Sequence, residues 1–108
     1  MSNVSIRAAF DTERTVTAPF TGVYQTVGSV LTENPVILIF DNQSDVDVAI
    51  SVDGTNAWKT FQAGEGLVLD MRGNHGIASN FTIVVGTQFY VLGAAGTGIF
   101  SIAILYAR

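Results

Sequence analysis

A chain of 108 residues without cysteine has the length of one domain, here residues 1–108, and can use neither disulfides nor a thiolate metal centre. Only 13% of its residues are charged and 48% are hydrophobic, against about 25% charged in an ordinary soluble domain. The formal net charge is −4 and the basic residues Arg7, Arg14, Lys59, Arg72 and Arg108 are scattered singly, so the basic stripe wanted by nucleic acid or an anionic membrane is missing.

The first residues hold no basic segment followed by an apolar stretch, and no signal peptide is expected. No apolar run approaches the roughly 20 residues of a membrane helix. The expectation is a soluble product made in the cytoplasm. With so few charges, Thr, Ser, Asn, Gly and apolar side chains must cover the surface, and such a surface suits protein partners better than water.

Along the chain, apolar and polar residues alternate and helical spacing is nearly absent. Val4, Ile6, Ala8 and Phe10 share one face of a first strand. Residues 11–19 are polar and Thr-rich, and read as a loop. Residues 20–31 read as one or two strands interrupted by Gly22 and Gly28, since glycine inside a strand marks a bulge or bend. Residues 36–40 are all apolar, which predicts a strand covered on both faces.

After a turn at 41–45, Val46, Val48, Ile50 and Val52 are expected to face inward. Asp53 and Gly54 then signal a hairpin, because the pair tolerates a tight turn. Residues 57–61 form the return strand and 62–66 a second turn. Leu67, Leu69 and Met71 alternate with Val68, Asp70 and Arg72. Residues 73–80 form a loop, and strands are expected at 81–85, 88–92 and 98–106. Eight or nine short strands at about ten-residue spacing predict an all-β protein: an antiparallel β-sandwich, jelly-roll-like.

The last strand places Phe100, Ile102, Ile104 and Tyr106 on one face and Ile99, Ala103 and Leu105 on the other. A two-layer sandwich buries only one of these sets. Ile99, Ala103 and Leu105 are therefore expected to meet a neighbouring subunit, removing roughly 200 Å² of apolar surface, on the order of 5 kcal/mol before association costs. The competing arrangement folds residues 4–10 across this face within one chain. Trp58, beside a tight turn, either anchors a partner or plugs one end of the sandwich.

Residues with catalytic potential form no constellation. His75 is the single histidine and nothing ties it to a particular Ser or Asp. Asp41, Asp45 and Asp47 lack the spacing of a calcium loop. Residues 93–98 are glycine-rich but lead into a strand, whereas phosphate loops open a helix. Glu65 and Asp70 are ordinary surface acids by context. The glycosylation triplets at 3–5, 42–44 and 80–82 carry no weight without secretion. No catalytic, metal or cofactor residue is assigned, and an enzyme is not expected.

One resemblance adds to this reading. It is carried by Asp41 and Asn42 before a polar turn, by Ile50, Ser51, Val52, Asp53 and Gly54, and by Gln62, Ala63, Gly64 and Glu65. Leu67, Val68, Leu69 and Asp70 follow, then Gly86, Thr87, Gln88, Phe89, Tyr90 and Val91, then Gly96, Thr97 and Gly98 before an apolar strand ending at Tyr106. Over residues 41–106 the chain resembles small β-sandwich virion proteins of tailed bacteriophages, particularly capsid decoration or cement proteins. The resemblance implies a non-enzymatic virion protein, made in the host cytoplasm, that binds the major capsid protein or other virion proteins and itself, often as a homotrimer. A neck, tail or fibre accessory protein, or a small carbohydrate-binding sandwich using Trp58 and Tyr24, are the alternatives.

Overall fold

The computed structural model describes residues 8–70 and 83–107, and among these the alternating pattern resolves into nine strands without a helix. They are β1 (Ala8–Phe10), β2 (Arg14–Thr17), β3 (Gln25–Thr26), β4 (Pro35–Asn42), β5 (Val48–Ser51), β6 (Lys59–Phe61), β7 (Gly66–Asp70), β8 (Tyr90–Gly93) and β9 (Ile99–Ala107). Every pairing is antiparallel. The expected all-β sandwich is what the chain forms.

The pairing is nested: β5 with β6, β4 with β7, β3 with β8, and β2 with β9. A long hairpin paired in this way rolls up when β9 also meets β4 and β8 also meets β5. The result is two sheets, β2-β9-β4-β7 and β3-β8-β5-β6, with β1 continuing the β2 edge of β9. That is jelly-roll connectivity.

The core lies between the sheets. From the first come Leu38, Phe40, Phe100, Ile102 and Ile104, and from the second Val48, Ile50, Phe61 and Val91, all fully buried. Phe40 is the hub, with the rings of Trp58, Phe61 and Phe89 at 5.7, 5.8 and 5.8 Å from its own. Edge-on and tilted contacts of this kind add to the area term.

A β-bulge corrects the reading of residues 11–19 as loop. Phe10 lies opposite Leu105 and Arg14 opposite Ile102, so four steps on one strand match three on the other. The extra residue reverses which positions face the core. Phe10 therefore points outward while Arg14, four residues on, is buried. Its guanidinium is satisfied by donating to the carbonyls of Thr12, Ser29 (3.0 Å) and Val30 (2.8 Å) and to Asp11 Oδ2 (3.2 Å).

Other expectations shift locally. Strand β5 spans only Val48–Ser51, and Val52 is exposed instead of inward. Residues 83–85 form no strand, because the Val85 amide donates to Asn34 Oδ1 and the Gly86 amide to Leu31 O. Residues 36–40 are strand as expected, but Ile39 on their outer side is exposed rather than covered. Met71 and His75, with Val4, Ile6 and residues 81–82, lie outside the described residues.

Candidate interaction surface

Directly opposed side chains of an antiparallel pair share a face, so the register assembles the outer face of the five-stranded sheet. Phe10, Leu105 and Ile37 form one row across β1, β9 and β4, which Asp70 closes on β7. Ala103, Ile39 and Val68 form the next, across β9, β4 and β7. Phe10 is 68% exposed and Val68 62%, while Ile37, Ala103 and Leu105 are half-buried by their strand neighbours. Six apolar side chains thus sit together on one side of the molecule, facing water.

Towards the other end the same face turns polar. Thr15, Ser101, Asp41 and Gly66 form its next row, and Asp41 accepts from Gln43 Nε2 at 2.6 Å. Thr17 and Ile99 follow. Among the described residues no basic side chain enters these rows. Arg14 is buried, and Lys59 is engaged by Glu65 at 3.4 Å and by the ring of Phe61 at 4.9 Å. A chain landing here would meet an apolar strip bounded by hydroxyls and by the carboxylates of Asp41 and Asp70.

The residues singled out in the sequence separate on the structure. Ala103 and Leu105 lie within the apolar strip, and Ile99, exposed, stands beyond Ser101 at the polar end. Trp58 is elsewhere: it precedes β6, is half-buried and packs edge-on against Phe40 between the sheets. Phe10, Ile37, Ile39 and Val68 were not foreseen as members. The signal for the last three was their parity within β4 and β7; Phe10 needed the bulge as well.

Residues 4–7 are outside the described chain, but β1 extends the sheet at its edge, with Ala9 opposite Tyr106 and Phe10 opposite Leu105. Residues 8–10 therefore lie beside β9 and leave its outer face open.

The polar candidates have local structural work. Asp45 accepts the Thr97 amide at 2.8 Å and its hydroxyl at 3.1 Å, and these bonds hold the Asp45 carboxyl below the usual carboxylate range. They pin residues 93–98 against the β4–β5 turn, where a Cβ at Gly98 would lie 2.4 Å from Gln43 O. Asp53 accepts the amides of Asn56 and Thr55, both at 2.9 Å, closing the β5–β6 turn. Glu65 accepts the Gln62 amide at 2.8 Å. Glu65 precedes β7 and Asp70 ends it, about 16 Å apart at strand rise and beyond the roughly 5–9.5 Å of paired glycosidase carboxylates. Among the described residues no group of three His, Cys, Asp or Glu side chains is placed to hold a metal ion.

Tyr24 leads into β3 and Trp58 into β6, the two opposite edges of the four-stranded sheet. Three strand spacings, about 14 Å, lie between them. They do not make one aromatic platform for a sugar.

No family model matches this chain, and no curated protein matches it. One solved structure similar in shape is a chain of Bacillus endospore appendages, described as forming a novel family of disulfide-linked pili. It is 18% identical, with a TM-score of 0.45 over 99% of this chain and 96% of that one. A likeness this distant lends nothing to a functional reading.

Proposed function

We propose that this chain is a non-enzymatic structural protein of a tailed-phage particle, a capsid decoration protein that seats the apolar outer face of its five-stranded sheet on other virion chains. One observation carries the reading: Phe10, Ile37, Ile39, Val68, Ala103 and Leu105 form a contiguous apolar strip on a protein with half the usual share of charge. Exposed apolar patches of this size are often functional. Burying these six side chains would remove roughly 300 Å² of apolar surface, about 7 kcal/mol before association costs. Repeated over a lattice, contacts of that size hold by number. The resemblance over residues 41–106 supplies the coat as partner, and self-association as a trimer belongs to the same proposal.

The test uses particles assembled without this protein, from the phage that encodes it. Purified chain is expected to co-sediment with heads at a fixed ratio to coat protein, and Phe10→Asp to weaken binding at least about 30-fold, the value of a 2 kcal/mol loss. Association with tails in place of heads would assign it to the neck, tail or fibre. Binding to neither would overturn the proposal.

A further inference from the structure

Sheets end in edges, and an edge strand is normally blunted by shortness, lysine, proline or a bulge. Among the described residues, β3 is two residues long, β1 and β6 three, and β6 carries Lys59; β2 runs into Pro19. Strand β7 differs. It has five residues, Gly66–Asp70, in unbroken register with β4, with no lysine or proline and a charge only at its last position. Val68 at its centre is 62% exposed, and Leu67 and Leu69 are only half-buried on the core side.

The direction of its backbone groups follows from the ladder. The Asn42 amide donates to Glu65 O at 2.9 Å, and bonded pairs recur every second residue in an antiparallel ladder. Phe40 with Leu67 and Leu38 with Leu69 are then the bonded pairs. The N–H and C=O groups of Gly66 and Val68 point away from β4, to the side on which no strand pairs with β7 among the described residues.

We infer that β7 is the site at which a second copy of this chain adds, antiparallel, across a two-fold axis through Val68. In that register Val68 exchanges both backbone bonds with Val68 of the second copy. Leu67 and Leu69 of each copy cover Leu69 and Leu67 of the other, completing their burial. Gly66 lies across from Asp70, so the two Asp70 carboxylates stand about 14 Å apart, beyond the Debye length of about 10 Å at 0.1 M salt. The segment is thus self-complementary about its centre, which an isologous contact requires. The joined sheets also bring the two apolar strips side by side, without depending on what covers them.

A chain without cysteine makes the test direct. Bonded pairs hold their Cα atoms about 5.5 Å apart, within disulfide range. Val68→Cys, oxidised at micromolar concentration, is expected to give a covalent dimer at least tenfold more than Val52→Cys, an exposed valine away from this edge. Phe10→Asp added to Val68→Cys leaves the yield unchanged if the contact is edge to edge. Circular dichroism checks that each variant is folded. Equal yields from Val68→Cys and Val52→Cys overturn the inference. Loss of the dimer on adding Phe10→Asp also overturns it, because the contact would then run through the apolar face of the proposed function.

Discussion

Asn42 is fully buried, and its amide is used at both ends. Nδ2 donates to the carbonyls of Val46 (2.9 Å), Gln62 (3.0 Å) and Phe61 (3.2 Å), while Oδ1 accepts from the amide and hydroxyl of Ser44. One side chain thereby stitches the end of β4 to the turn before β5 and to the segment after β6. Asn42→Ala strands these groups away from water and is expected to cost about 3 kcal/mol, read as a lower urea midpoint with an unchanged slope. A second expectation concerns acid. Asp53 sits below the ordinary carboxylate range, first through the Asn56 amide, then that of Thr55 and the Ser51 hydroxyl; Glu65 does so through the Gln62 amide and Lys59. A depressed folded-state value means that the stabilisation is complete above the unfolded value near pH 4 and is lost as pH falls below it. The urea midpoint should fall between pH 5 and pH 2.5, and Asp53→Asn should flatten that fall. An unaltered pH profile in Asp53→Asn would refute the assignment.

At the scale of elements, strands with strict alternation were legible from the sequence. The two faces of β9 and the Asp53 turn stand where the pattern put them. What alternation cannot carry is an inserted residue: between Phe10 and Arg14 the parity reverses, and a stretch that reads as polar loop holds β2. Nor does an all-apolar run tell a doubly covered strand from one with an open outer face, as Ile39 shows. The apolar strip was visible only in part for this reason, through Ala103 and Leu105 but not through β4, β7 and Phe10. The ladder parity in β7 makes its own prediction. Val68→Pro removes an amide that points off the sheet and should cost about 1 kcal/mol. Leu69→Pro removes one that bonds β4 and should cost about 3 kcal/mol or more, measured by thermal melting. Equal costs would show that the edge is oriented otherwise.

For the whole molecule, nested pairing has a result that concerns force. The pairing that places Ala8 opposite Ala107 makes the outermost strands run antiparallel and leave the sandwich at the same corner. Tension applied through residues 8 and 107 would therefore act across the β1–β9 ladder and load its bonds one after another, like a zipper. Handles at Phe10 and Gln62 would instead pull across several strands together. In an optical trap the first geometry is expected to open at clearly lower force than the second, and equal forces would refute this. An assembly that loads this domain would accordingly need to hold it by its faces and edges, since tension across residues 8 and 107 would peel it apart.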